Sequence, residues 1–256
     1  MAFNNNIPYI EILECPIHSI GMEETLNIID QNIQKRKPIH HVVVNAAKLV
    51  NMRKDAQLRE SVLSCDIINA DGQSVVWAAS ILGEPLPERV AGIDLMENLV
   101  QLAHKRVYRI FFLGAKEEIV KEVVRIYSER YNPQIIAGYR NGYYNKDDEH
   151  FIAEQIRNSG ADMLFVAITS PKKEIFLNKY KSIIQTPFIM GVGGSFDVVS
   201  GKTKRAPLWM QSSGLEWFYR VLQEPRRMWK RYLVTNTKFI GMVINEKLKK
   251  YKLHKK

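Results

Sequence analysis

The chain has 256 residues, 46% hydrophobic and 25% charged, which is enough to bury a sizeable core as one large domain or two halves with an extension. Its net charge of +10 lies wholly at one end: residues 220–256 hold 12 Lys or Arg against Glu224 and Glu246, and the rest holds 25 of each sign. Cys15 and Cys65 make no disulfide framework or metal-ligand spacing, the N-terminus lacks a signal-peptide pattern, and no stretch approaches about 18 uncharged apolar residues, so a cytoplasmic protein that spans no bilayer is expected.

Short strands are predicted over residues 7–13 and 16–20 around a turn. A helix from about Met22 places Leu26, Ile29 and Ile33 on one face. A buried strand over 41–44 ends at Asn45, and the next helix carries Ala47, Val50 and Met52. The strand over 65–70 runs straight into Asp71-Gly72. Helices near 75–82 and 95–105 flank a proline-rich connection, Glu84-Pro-Leu-Pro-Glu-Arg89. Strand and helix then alternate: strand 109–113, helix 117–131, strand 134–137, helix 149–158, strand 163–167, helix 172–181, strand 188–190. This alternation predicts an α/β fold with a Rossmann-like, mostly parallel sheet in two halves and helices on both faces. Beyond residue 205 the pattern is helical without strands. The chain therefore divides into a core, 1–204, and a basic helical appendage, 205–256.

Ligands of such open sheets bind outside the carboxyl ends of the strands. Asn45, Asp71, Gly114 and the loop containing Gly193, Gly194 and Asp197 fall there. Asp71 can accept a proton from a substrate hydroxyl, although an Asp-Gly turn that caps the helix from Gln73 is the commoner use of such a pair. Arg89, held between prolines and Val90-Ala-Gly-Ile-Asp94, can neutralise a phosphate through a bidentate contact or stand on the surface. Leu113-Gly114-Ala115 fits a phosphate-side turn but lacks the rest of a dinucleotide fingerprint. Gly191-Val-Gly-Gly lets a ligand approach the backbone but is not a P-loop. His40 and His41 point to opposite faces of a strand and cannot share a metal. The six histidines form no ligand cluster and no serine nucleophile elbow is present.

In the basic end, cations alternate with Trp217, Phe218, Tyr219, Trp229, Tyr232, Phe239, Ile240, Val243, Ile244 and Leu248. That mixture suits the boundary of an anionic membrane, where aromatic rings sit at headgroup level and lysine stems snorkel. Nucleic acid attracts the same cations, but the density of bulky aliphatic groups favours the membrane and no nucleic-acid partner. Within 240–253, Glu246, Lys247 and Lys250 interrupt the apolar arc of the helical wheel. An apolar tail away from membranes also allows a homo-oligomer.

One long run is more specific: Gly191-Val-Gly-Gly-Ser-Phe-Asp-Val-Val-Ser-Gly-Lys-Thr-Lys-Arg-Ala-Pro207, then Gly214-Leu-Glu-Trp-Phe-Tyr-Arg220, then Gln223-Glu-Pro-Arg-Arg-Met-Trp-Lys-Arg-Tyr232. With Asp71-Gly-Gln-Ser, Gly83-Glu-Pro-Leu-Pro-Glu-Arg89 and Phe112-Leu-Gly-Ala115 upstream, the chain resembles the WecG/TagA/CpsF glycosyltransferases of bacterial cell-surface polymers such as teichoic acid linkage units, capsules and exopolysaccharides. The resemblance implies inverting transfer from a UDP-sugar to a polyprenyl-diphosphate-linked saccharide, with no cofactor or essential metal, at the inner face of the cell membrane. It implies Asp71 as general base, Arg89 on phosphate, Asn45 and Asp197 lining the cleft, and Arg220 and Arg227 folding over the nucleotide diphosphate from a membrane-associating appendage. Two positions depart from the family pattern. Val43 stands where threonine is usual, and Lys173 where glutamine is usual, which adds an ammonium that could pair with a donor phosphate or a sugar carboxylate. N-acetylmannosamine, its uronic acid, glucose and galactose all remain open as the sugar. The rival readings are a non-catalytic component of a polysaccharide assembly complex, a nucleic-acid-binding protein, and a soluble nucleotide-sugar epimerase or dehydrogenase, which would need the missing glycine fingerprint.

Overall fold

The structure, a computed structural model, describes residues 6–253, apart from the side chains of residues 227, 228, 230, 231 and 253. A six-stranded, all-parallel sheet forms its centre, in the order β4 (Ile67–Ala70), β3 (Ile39–Val44), β8 (Phe188–Gly191), β7 (Met163–Ala167), β5 (Ile110–Gly114), β6 (Ile136–Arg140). Its central strands are buried throughout, as continuous apolar runs such as Met163–Ala167 require when helices cover both faces.

The alternation of side chains along the strands sorts the core. Ile110 and Phe112 of β5, Phe165 of β7 and Met190 of β8 face one continuous cluster with α1 (Met22–Gln34), α5 (Gly92–Arg106), α6 (Glu117–Arg130) and α9 (Ser195–Val199). The opposite face holds two clusters. Phe111, Leu113, Leu164 and Ile189 pack on α7 (Glu149–Asn158) and α8 (Lys172–Ile184). Val42, Val44, Ile68 and Ala70 pack on α2 (Ala46–Met52), α3 (Ala56–Leu63) and α4 (Gln73–Ile81). The two expected halves are thus two helical covers on one uninterrupted sheet.

Two local results differ from the sequence pattern. Helix α3 was not anticipated; it is short, and Asp55 starts it by accepting from the Leu58 amide at 2.9 Å. The strand expected over 134–137 begins later, at Ile136. Pro133 opens a 3₁₀ turn through Ile135, whose first amide, that of Gln134, is capped by the Asn132 side chain at 2.8 Å. The first two strands, β1 (Tyr9–Ile12) and β2 (Cys15–His18), form a separate antiparallel hairpin. His18 Nδ1 accepts from the Ile68 amide at 3.0 Å, so the hairpin covers the outer edge of β4. His40 and His41 are both buried within β3, and burial lowers their pKa values to about 3 and about 4, keeping them neutral.

The basic end forms α10 (Leu208–Ser212), α11 (Glu216–Gln223) and the long α12 (Pro225–Leu253). Phe239 and Val243 of α12 are buried in the same cluster as α2 and the hairpin. Glu246 accepts from the Leu13 amide at 3.3 Å, Lys247 donates to the Ile81 carbonyl at 2.6 Å, and Lys250 pairs with Glu84. The charges that interrupt the apolar arc in sequence are therefore the ones that pin the helix to the body. Ile240, Ile244 and Leu248 form a second apolar stripe that faces outward.

Gly114 closes β5 at φ +131°, where a Cβ would lie 2.5 Å from the Ala167 backbone at the end of β7. Gly114→Ala should cost on the order of 3 kcal/mol in urea unfolding, from backbone strain plus overpacking. Phe239→Ala should cost about 3 kcal/mol, while the neighbouring Ile240→Ala stays within about 0.5 kcal/mol. Equal costs for the two α12 variants would contradict the docking of that helix.

Candidate active site

The site is built at the carboxyl ends of β3, β4 and β8. The Asp71 amide donates to the Val44 carbonyl at 2.8 Å, which extends the β3–β4 pairing by one residue. After the proline-rich loop the chain returns to the same place, where the Val90 amide donates to the Ala70 carbonyl at 2.9 Å. That one bond sets Arg89 and the start of α5 beside Asp71. The Gly92 amide, first in α5, then donates to Asp71 Oδ1 at 3.2 Å. The N-cap of α4 is Gly72, so the capping role that an Asp-Gly pair usually plays does not apply: the Asp71 carboxylate faces a different helix. Burial raises the Asp71 pKa to about 6; Glu216 adds to the rise, and the Gly92 amide, Arg220 and Arg89 oppose it.

Asn45 caps α2, its Oδ1 accepting from the Lys48 amide at 3.0 Å. It stands next to Gly72, where a Cβ would come within 3.6 Å of the Asn45 Cβ. Val43 is buried, with Cγ2 3.2 Å from the position of a Cβ on Gly92, so the missing hydroxyl is replaced by apolar contact with the start of α5. Lys173 is buried, not at the surface. Its stem crosses Gly191, where a Cβ would meet Cδ at 2.8 Å, and its ammonium lies 2.8 Å from Glu174 Oε1. Lys48 reaches the same oxygen at 2.8 Å and donates to the Val43 carbonyl at 2.7 Å. Burial pushes Glu174 upward, but the two lysines outweigh it and hold the carboxyl at about 2. Burial and Lys48 bring Lys173 down to about 8 against the pull of Glu174 and Asp71.

The remaining candidates divide. Gly114 is required by the close approach of β5 to β7 described above. Gly193 has φ +56°, and the positions of a Cβ on Gly193 and Gly194 are open space, which leaves room for a ligand against the backbone. Asp197 pairs with Lys202 at 3.0 Å in the turn that follows α9.

The appendage reaches the site through Gly214. At φ +71° this residue lets the turn between α10 and α11 press on α4, where a Cβ would meet Gln73 at 2.8 Å and Trp77 at 3.1 Å. Two residues later, Glu216 Oε2 lies 3.2 Å from Arg89 Nη1, both side chains being mostly buried. Arg220 Nη2 and Arg205 Nε lie 3.8 and 3.9 Å from Glu216 Oε1. Arg205 is fixed by a fork of bonds to Asp94 at 2.5 and 2.7 Å. Arg205, Glu216 and Asp94 were not singled out from the sequence, although all three lie within the quoted motifs. The side chain of Arg227 lies outside the described residues. Among the described residues no group of three or more His, Cys, Asp or Glu is placed to hold a metal ion.

A buried carboxylate of raised pKa beside several guanidiniums can accept a proton while cations hold a phosphate. Residues 10–253 match the Glycosyl transferase WecG/TagA/CpsF family. The chain is 39% identical over 197 residues, 77% of its length and 76% of the relative's, to a Bacillus subtilis (strain 168) protein named N-acetylglucosaminyldiphosphoundecaprenol N-acetyl-beta-D-mannosaminyltransferase. A Bacillus spizizenii protein of the same name is 38% identical over 196 residues, 76% of this chain and 75% of the relative. The chain belongs to the WecG/TagA/CpsF family and is a glycosyltransferase.

Proposed function

We propose that this enzyme transfers an N-acetylmannosamine-type sugar from UDP to a polyprenyl-diphosphate-linked N-acetylglucosamine, inverting the anomeric centre without a metal ion. The sugar and acceptor follow from the names of the two relatives. The observation that carries the mechanism is the buried Asp71 carboxylate at the strand end where the Val90–Ala70 bond sets Arg89, with Arg220 joined to Arg89 through Glu216. Attack on the anomeric carbon requires the acceptor hydroxyl to lose its proton as the new bond forms, and Asp71 takes that proton. The glycosidic bond to the β-phosphate breaks at the same time, and the leaving UDP gains negative charge. Guanidiniums stabilise that charge without reorganisation. A direct displacement from the face opposite the leaving group inverts the configuration.

The appendage places this chemistry at a lipid surface. Among the described residues no helix is long and apolar enough to cross a membrane. Leu208 is 81% and Trp209 63% exposed, and Trp77, Ile81, Leu222, Ile240, Ile244 and Leu248 add further exposed apolar groups among the basic ones. This combination fits peripheral attachment to the anionic inner leaflet, each near-surface cation adding on the order of 1 kcal/mol.

UDP release, measured with EDTA present, should require both UDP-N-acetylmannosamine and a short-chain polyprenyl-diphosphate N-acetylglucosamine; a strict need for added metal would refute the metal-free step. Asp71→Asn should lower kcat by about 100-fold or more with little change in donor affinity. Because the base must be ionised, kcat/KM should rise with pH through an apparent pKa of about 6 and level off above it. Retention of that limb in the Asn variant would assign it to another group. Replacing Ile240, Ile244 and Leu248 by serine should weaken sedimentation with anionic vesicles at least about tenfold without shifting the unfolding midpoint. Unchanged sedimentation would place the membrane contact elsewhere.

A further inference from the structure

Glu216 is surrounded by more positive charge than one carboxylate can engage. Arg89, Arg205 and Arg220 all approach it, but only Arg89, at 3.2 Å, comes within hydrogen-bonding reach. Arg205 Nε is buried and, among the described residues, has no hydrogen-bond partner. A buried guanidinium N–H without an acceptor costs free energy unless a ligand supplies one. The contrast with Asp94 is direct, since Asp94 grips the other two nitrogens of Arg205 with good geometry from the first turn of α5. One carboxylate is an anchor and the other is a loose occupant.

Formal charge points the same way. Among the described residues three guanidiniums face three carboxylates, Asp71, Asp94 and Glu216. With Glu216 withdrawn one positive charge is left over for the diphosphate of a bound nucleoside diphosphate-sugar. Glu216 also stands within electrostatic reach of Asp71.

We propose that Arg89, Arg205 and Arg220 form a single anion site, that Glu216 fills it in the absence of substrate, and that the diphosphate of the sugar donor displaces Glu216 and takes the free N–H of Arg205. This rests on the UDP-sugar reading above and adds Arg205 as a diphosphate ligand and Glu216 as its internal competitor. A carboxylate that merely oriented Arg89 would have the opposite effect when removed.

The test is calorimetric titration of the full chain with UDP and, separately, with inorganic diphosphate. Glu216→Gln should bind both on the order of tenfold more tightly than the native chain. Asp94→Asn, which unties Arg205, should bind both on the order of tenfold more weakly. Opposite signs from two carboxylates on one guanidinium are the signature of the proposal. Unchanged or weaker diphosphate binding by Glu216→Gln would overturn it. If neither protein binds UDP while Glu216→Gln still gains affinity for diphosphate, the stand-in role survives and the uridine donor is wrong. Should Glu216→Gln fail to fold by circular dichroism, Glu216→Asp keeps the charge on a stem too short for Arg89, and absence of any gain there would overturn the proposal equally.

Discussion

The desolvation of Asp71 is the constraint on which the rest of the site depends. A carboxylate removed from water at the end of a strand stays ionised only where fixed dipoles and cations replace its hydration. The fold brings these in by backbone connection. The Val90 amide returns the chain to Ala70, which delivers the Gly92 amide to the carboxylate and Arg89 to its side in one stroke. The proline-rich loop matters because it leaves that return with little freedom. The resulting pKa of about 6 leaves the group ionised at neutral pH yet still basic enough to take a proton.

The appendage has two physical roles that the charge pattern alone merges. One face of α12 belongs to the core through Phe239 and Val243, and Glu246, Lys247 and Lys250 tie it to the turn after β1, to α4 and to the loop beyond. The other face stays apolar and exposed. Between that helix and the sheet, the turn at Gly214 carries Glu216 and Arg220 over Arg89. The anchoring of α12, its exposed apolar stripe and the contact of Glu216 with Arg89 are therefore mechanically linked, because one continuous segment supplies all three.

Much of this was legible in the sequence. The alternation of apolar runs gave the parallel sheet, because a strand buried on both faces reads as an unbroken apolar run and a covering helix as a 3.6-residue stripe. Asp71 and Arg89 stood out by their position next to Gly72 and the prolines. Other features were hidden for identifiable reasons. Helix α3 is too short to show a period. Glu216 and Arg205 carry no local signal, since an acid or an arginine near a helix start reads as surface charge until tertiary structure sets it opposite Arg89 and Asp94. Lys173 was read as a cation facing a donor phosphate or a sugar carboxylate. Its burial beside Glu174 depends on Gly191, 18 residues away on the next strand, which is empty enough to let the lysine stem pass.

That buried lysine bears on Asp71 as well. Lys48 and Lys173 share the single carboxylate of Glu174, so the group keeps one surplus positive charge in a place where water cannot screen it. Lys173 is within electrostatic reach of Asp71, and its pKa of about 8 leaves it mostly protonated near neutral pH. The surplus therefore favours the ionised form of Asp71 and acts alongside Arg89 and Arg220 against the upward push of burial. A neutral amide at 173 would leave Lys48 and Glu174 to balance each other and remove that contribution. The ammonium thus acts on Asp71 from within the protein, through charge.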